Sequence, residues 1–139
     1  MNELSAHHVG VTVSDLDRAV AFYRDVLGLD VRSRFSVGGE AFATGVAIDG
    51  ARADFAHLDA DGVRLELVAY DSTDATDAHS TLDEAGATHV ALAVEDIESW
   101  YDGLPSDVET LSPPQTTESG TTICFLRDPE GNLVEVLSE

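Results

Sequence analysis

The chain carries two short sequence patterns twice each, and this internal repeat constrains the fold more than any other feature. The pattern HVGVTVSDL at 8–16 aligns without a gap with HVALAVEDI at 89–97. Further along, DGVRLEL at 61–67 aligns with EGNLVEV at 130–136 in the same order. Because self-similarity of this kind marks a repeated supersecondary unit, we expect two equivalent modules within one chain.

The boundaries of the modules follow from where the two patterns begin and end. The first module spans about 4–70 and the second about 87–138, with a polar stretch rich in Asp, Thr and Ser at about 71–86 between them. At 139 residues the chain has the length of a single domain. We therefore predict one domain, 1–139, built from two tandem modules.

Periodicity within each module predicts a strand, a helix and further strands. The stretch at 7–13 alternates as a strand does, and Ser14 or Asp15 then caps a helix that continues to about Leu27 and stops at Gly28. The first module continues with predicted strands near 30–36, 41–48, 53–58 and 63–69. The second module is predicted to contain a strand at 88–94, a helix near 96–103 and strands at 107–111, 119–127 and 132–138. The shared plan is a βαβββ unit of the α+β class, and the two units are expected to form a curved mixed sheet around a cavity.

Strand alternation places four polar residues on the face that points away from the helices. In the first strand the valines form the face that packs on the helix, which leaves His8 on the other face. By the same rule Glu66, His89 and Glu135 lie on the corresponding face at repeat-equivalent positions. A charge in an apolar strand is costly to bury unless it is paired or bound to a metal. The pattern therefore predicts one divalent metal ion in the cavity, with His8, Glu66, His89 and Glu135 as ligands.

Other polar residues near these positions have weaker signals. His57 is expected across a hairpin from Glu66, as a substrate contact or a hydrogen-bond donor to the ligand, although a surface histidine fits equally well. Arg64 is a candidate for binding a substrate carboxylate or for balancing charge, and Cys124 for a contact in the cavity or a buried filler. His7 is expected to point to the helix side and His79 to lie in the linker, and neither is assigned a role.

Two stretches of the chain resemble the vicinal oxygen chelate superfamily, which includes glyoxalase I, methylmalonyl-CoA epimerase, extradiol dioxygenases and bleomycin resistance proteins. The first is HVGVTVSDLDRAVAFYRDVLGL at 8–29 and the second is DPEGNLVE at 128–135. The resemblance implies paired βαβββ modules over nearly the whole chain. It also implies that His8, Glu66, His89 and Glu135 match the ligands of the metal-dependent glyoxalase and epimerase branch.

Other branches of the superfamily supply the alternatives. Extradiol dioxygenases resemble the chain less because they bind iron with two histidines and one carboxylate, and bleomycin-binding members lack the metal ligands, so they represent a metal-free binding function. Thr12 stands four residues past His8, where glyoxalase I commonly carries an Arg that helps to bind glutathione. Thr12 is a candidate substrate contact, and this departure counts against a glutathione adduct as substrate.

A site of this composition implies chemistry beside a carbonyl group. Nitrogen and oxygen ligands suit nickel, cobalt, manganese, iron or zinc, and the spacing does not choose among them. A bound metal would polarise a substrate carbonyl and stabilise an enediolate, so the predicted reaction is isomerisation, epimerisation or a glyoxalase-type lyase step. Glu135 is the first candidate for the base and Glu66 the second.

Composition narrows the partners and the compartment. The chain has 27 acidic residues against seven basic ones and a formal net charge of −20, and all seven basic residues are Arg. Such a surface repels nucleic acid and anionic membranes and resembles that of proteins from salt-loving organisms. One cysteine and an N-terminus without signal-peptide character predict a cytoplasmic protein. The partners expected are a small-molecule substrate and, from the resemblance, a second copy in a homodimer, with the metal held within one chain or between two.

Overall fold

The computed structural model describes residues 2–75 and 81–139. Contacts divide the chain into two compact units, Met1–Ala75 and Thr76–Glu139. The part of the predicted linker at 76–80, including His79, lies outside the described residues. Among the residues described, no helix is long and apolar enough to cross a membrane.

The first unit contains one mixed four-stranded sheet. Its elements are β1 (Val9–Thr12), α1 (Leu16–Ala21), a π-helical turn (Phe22–Val26), β2 (Asp30–Val37), α2 (Glu40–Val46), β3 (Ala53–Asp59) and β4 (Arg64–Tyr70). The strand order is β1-β4-β3-β2, with β1 parallel to β4 and the other pairs antiparallel. One face of the sheet packs on α1 and contains fully buried leucines of β3 and β4.

Helix α1 begins where the sequence predicts it. The Asp15 side chain accepts a hydrogen bond from the Arg18 backbone N–H at 3.0 Å, which satisfies one of the unpaired donors of the first turn. Leu16 and the small or branched residues that follow on the same face are buried. The π-helical turn extends the helical stretch, and Gly28, at φ +75°, allows the chain to leave it.

The predicted strand at 41–48 is wrong, because this segment forms α2. Alanine and glutamate favour a helix over a strand, and Gly39, at φ 99° and ψ 171°, turns the chain after β2 so that the helix begins at Glu40. The Phe42 ring packs against Phe55 and Tyr70 of the sheet, with centroids 6.1 and 6.2 Å apart. Helix-favouring residues and the packing of Phe42 on the sheet therefore both support a helix in this segment.

The second unit repeats the plan with fewer helical residues. Its elements are β5 (His89–Ala93), α3 (Ile97–Asp102), β6 (Gln115–Thr116), β7 (Thr122–Arg127) and β8 (Leu133–Ser138). The strand order is β5-β8-β7-β6, with β5 parallel to β8. The predicted strand at 107–111 is wrong: the segment makes a single bridge, between Thr110 and Leu126. Pro113 and Pro114, which have no N–H to donate, stand between this segment and the short β6.

The two sheets share one register at the centre of each module. Gly10 of β1 lies opposite Glu66 of β4, and Ala91 of β5 lies opposite Glu135 of β8. The α+β class and the paired βαβββ plan are therefore confirmed, with α2 added between the second and third strands of the first unit. This shared register positions the candidate site residues.

Candidate functional site

The first histidine–glutamate pair lies on the face of the first sheet that points away from α1. His8 directly precedes β1 and its Nε2 is 3.4 Å from Oε1 of Glu66, whose side chain is 14% exposed against 35% for His8. Between them stands Gly10, where an added Cβ would lie 4.0 Å from Cδ2 of His8. The small residue leaves the space beside the imidazole open, as the sequence suggests.

The second pair repeats this arrangement in the second unit. His89 is the first residue of β5, and its Nε2 is 3.2 Å from Oε1 of Glu135. The two side chains are 37% and 14% exposed, close to the values of the first pair. Ala91 takes the place of Gly10 beside the carboxylate. Each unit therefore presents one imidazole and one carboxylate at the same position of its sheet.

A third side chain joins the first pair and has a different counterpart in the second. His57 of β3 lies opposite Glu66 in the antiparallel register, and its Nε2 is 2.7 Å from Oε2 of Glu66. In the second unit the residue opposite Glu135 is Phe125, whose ring centroid is 5.2 Å from that of His89. The position of His57 agrees with the expectation from sequence, whereas the contrast with Phe125 becomes visible only through the strand register.

Strand alternation would place His7 on the helix side, but the structure places it on the other face, beside Arg64. His7 precedes β1, so strand pairing does not fix its direction. Its Nδ1 is 2.8 Å from Nδ1 of His8, and Nη1 of Arg64 is 3.3 Å from its Nε2. With both rings neutral, Arg64 donates to His7, His7 donates to His8, and His8 keeps its proton on Nε2. Metal binding by that nitrogen would require the proton to move to Nδ1 of His8, and His7 could accept it there only by carrying its own proton on Nε2, which would end the hydrogen bond from Arg64. Arg64 itself is exposed.

An aromatic cluster that the sequence does not reveal lies on the same face as Glu66. Phe35 of β2 stacks on Phe55 at 5.1 Å between centroids and meets the edge of His57 at 5.0 Å. Phe35 is 40% exposed, although it is a large apolar side chain. Together with Phe42 of α2, these rings form an apolar surface beside the His57–Glu66 pair. The register of β2 with β3, which places Phe35 opposite Phe55, is the signal that could have found it.

Two predicted substrate contacts have different outcomes. Thr12 is exposed and lies opposite Val68, one row beyond the Gly10–Glu66 pair on the same face. Cys124 is 1% exposed and its thiol lies 3.6 Å from the Ser112 carbonyl, so its placement in a cavity is wrong. The reason is register: Phe125 faces Glu135, which sends Cys124 to the opposite face of β7. Burial raises the pKa of the Cys124 thiol, as expected for a small buried filler.

The donors in each pair fit one side of a divalent metal site. Two ligands bound at about 2.0–2.1 Å from one ion lie about 2.9–3.4 Å apart when the angle at the metal is between about 90° and 109°. The measured Nε2–Oε1 separations of 3.4 and 3.2 Å fall in that range. Among the side chains described, no group of three or more His, Cys, Asp or Glu is placed to hold a metal ion. Each unit therefore presents two donors at a spacing that suits a metal, and the four-ligand site stays a prediction.

A mixed sheet in each of two units, carrying a histidine–glutamate pair at one register position, defines the class of paired βαβββ proteins. The chain belongs to the Glyoxalase/Bleomycin resistance protein/Dioxygenase superfamily, whose family model matches residues 5–136. It is 28% identical over 132 residues to a probable lactoylglutathione lyase of Synechocystis sp., covering 94% of this chain and 92% of that protein.

Solved structures agree with the family assignment. A glyoxalase family protein of Bacillus cereus matches with a TM-score of 0.86 and 26% identity, covering 99% of this chain and 96% of that one. The trypanothione-dependent glyoxalase I of Leishmania major matches with a TM-score of 0.68 and 25% identity, covering 99% and 88%. The resemblance drawn from the sequence is confirmed at the level of the superfamily.

Proposed function

We propose that the protein is a divalent-metal-dependent lyase or isomerase that removes a proton from the carbon next to a carbonyl group. The observation that carries the proposal is the repeated pair: an imidazole nitrogen 3.4 Å from a carboxylate oxygen in one unit and 3.2 Å in the other, at the same register. The named relatives, a probable lactoylglutathione lyase and a glyoxalase I, support this class of reaction.

In this proposal His8, Glu66, His89 and Glu135 supply the four ligands, drawn from one chain or from two copies in a homodimer. Two neutral imidazoles and two carboxylates cancel the charge of a divalent cation, and nickel, cobalt, manganese, iron and zinc all suit such donors. When bound, the metal supplies Lewis acidity that stabilises negative charge developing on the carbonyl oxygen.

The remaining chemistry belongs to side chains of this chain. Glu135 takes the proton as the C–H bond breaks, the electron pair moves into the new C=C bond, and for an isomerisation the same carboxylate returns the proton to the neighbouring carbon. Arg64, exposed beside the first pair, binds a carboxylate of the substrate, and Thr12 contacts its polar end, while His57 is engaged by Glu66. Phe35 supplies an apolar surface for the rest of the molecule.

Metal content is the first test. The full-length protein is purified without chelators and its metals are measured by elemental analysis, then stripped and reloaded separately with nickel, cobalt, manganese, ferrous iron and zinc. We expect one divalent ion per set of four ligands, and loss of both metal and turnover in His89→Ala. Glu109→Gln removes an exposed carboxylate of the second unit, paired with Arg127 at 3.5 Å, and should retain the metal as the matched control.

Activity is tested with the metal-loaded protein. The substrates are hemithioacetals of 2-oxoaldehydes with several thiols, and acyl thioesters, and the reaction is followed by exchange of the carbon-bound hydrogen in deuterated water. Glu135→Gln should abolish exchange while it keeps most of the metal. A protein that neither contains metal nor takes it up contradicts the proposal and favours a small-molecule binding function. Oxygen consumption with catechols under ferrous iron favours a dioxygenase instead.

A further inference from the structure

The two carboxylates of the repeat differ in what faces them across the sheet. In each hairpin one residue lies directly opposite the glutamate: His57 opposite Glu66 and Phe125 opposite Glu135. One neighbour donates a hydrogen bond and the other is apolar and cannot. On the other side of each glutamate the neighbours are the small residues Gly10 and Ala91, so the exchange of His57 for Phe125 is the difference that changes hydrogen bonding.

The hydrogen bond from His57 fixes Glu66. An ionised carboxylate only accepts hydrogen bonds, so Nε2 of His57 carries the proton and donates it to Oε2 at 2.7 Å. The other oxygen, Oε1, faces His8 at 3.4 Å. Both partners of the short bond are 14% exposed, and the edge of the His57 ring is packed by Phe35 at 5.0 Å. Glu66 is therefore oriented with one oxygen engaged and the other turned toward the ligand histidine.

Glu135 lacks such a restraint in the described part of the second unit. Its Oε1 lies 3.2 Å from Nε2 of His89, while Phe125 opposite it packs on the His89 ring at 5.2 Å. The apolar ring positions the histidine but leaves the second carboxylate oxygen without an imidazole donor of the kind that Glu66 has. A carboxylate held on one side only can rotate toward a substrate more easily than one held on both.

We propose that His57 is a positioning residue that locks Glu66 as a fixed metal ligand, and that Phe125 leaves Glu135 mobile enough to transfer the proton. The inference rests on the proposed function, and it assigns metal binding to Glu66 and proton transfer to Glu135. His57 is not a third ligand in this scheme, because it reaches Oε2 of Glu66 whereas His8 reaches Oε1, and no group of three such side chains is placed to hold a metal in the residues described.

The test measures the affinity of the full-length protein for cobalt(II) by competition with a chelating dye, which is independent of turnover. His57→Phe gives the first unit the arrangement of the second and should weaken binding by about 10–100-fold, the usual effect of losing a hydrogen bond to a ligand. His57→Gln keeps an N–H donor and should recover most of this loss. Glu109→Gln, which alters an exposed carboxylate paired with Arg127 and neither histidine–glutamate pair, is the control and should bind cobalt as the unaltered protein does.

A reciprocal variant tests the second half of the proposal. Phe125→His places an imidazole opposite Glu135 and should lower kcat while cobalt affinity is kept or increased, because the base is now restrained as Glu66 is. An unchanged kcat in Phe125→His overturns the role assigned to Glu135. Circular dichroism of each variant establishes that it is folded, and His57→Gln keeps the test valid if His57→Phe does not fold.

The outcomes separate this inference from the proposed function. If the unaltered protein binds no divalent metal, the proposed function fails and the inference fails with it, before any variant is compared. If it binds cobalt and His57→Phe binds it equally well, only the inference is overturned. A shift of the visible cobalt bands in His57→Gln would show that the imidazole is itself a ligand, which also overturns it, whereas unchanged bands with weaker binding support it.

Discussion

Replacing a glycine by alanine should have opposite effects on stability at the two ends of helix α2. Gly39→Ala should destabilise the protein and Gly45→Ala should stabilise it. Gly39 precedes the helix at φ 99° and ψ 171°, and Gly45 lies in its last turn without a positive φ. A Cβ added at either position would meet no heavy atom within 4 Å. Steric clashes therefore do not contribute, and the effect of Ala at each site comes from the backbone alone.

The magnitudes follow from these backbone conformations. Ala at position 39 would occupy a region of φ and ψ that is nearly restricted to glycine, so Gly39→Ala should lower the free energy of unfolding by about 1–3 kcal/mol. Gly45→Ala replaces the poorest helix former apart from proline within a helix and should raise it by up to about 0.5–1 kcal/mol. For a chain of this length each kcal/mol corresponds to about 3–4 °C in Tm.

The assay is urea unfolding followed by circular dichroism, with the m-value checked for each variant. An unchanged m-value means that a shifted midpoint reports stability and not a change in the unfolded state. If Gly39→Ala is neutral and Gly45→Ala destabilises, the result contradicts a helix that begins at Glu40 and favours a strand at 41–48. Opposite signs in the expected direction support α2 as described.

Two further predictions concern the thiol and the surface charge. Cys124 should react slowly with maleimide in the native state and rapidly in urea, as followed by mass spectrometry. Because burial raises its folded pKa above the ordinary value of 9.0, its contribution to stability is complete below about pH 9 and is lost as pH rises toward the folded pKa. Cys124→Ala should therefore show a smaller loss of stability between pH 8 and pH 10. Raising sodium chloride from 0.1 to 1 M shortens the Debye length from about 10 to about 3 Å, so with a net charge of −20 the Tm should rise, and a constant or falling Tm contradicts an acidic surface adapted to salt.

The sequence predicts the parts of the fold that depend on local patterns. Short stretches of residues are enough to predict the repeat, the strands β1 and β5, and the Asp15 cap of α1. The structure confirms these elements. The segment at 41–48 was misassigned because its helix depends on Phe42 packing on Phe55, a contact between distant parts of the chain. Cys124 was misplaced because the face of β7 depends on its register with β8, which hairpin length alone does not determine.

The exposed histidines raise the question of what shields the proposed metal site from water. His8 and His89 are 35% and 37% exposed, and Gly10 and Ala91 beside them are exposed as well. Abstraction of a proton beside a carbonyl benefits from exclusion of water, so an open pair needs a cover. If one chain supplies both pairs, metal affinity will be independent of protein concentration. If two copies share each metal, affinity will fall on dilution and metal will in turn stabilise the dimer, since anything that binds only the assembled form favours it. A metal titration at two protein concentrations, with the mass measured by light scattering, decides between these arrangements without an assay of turnover.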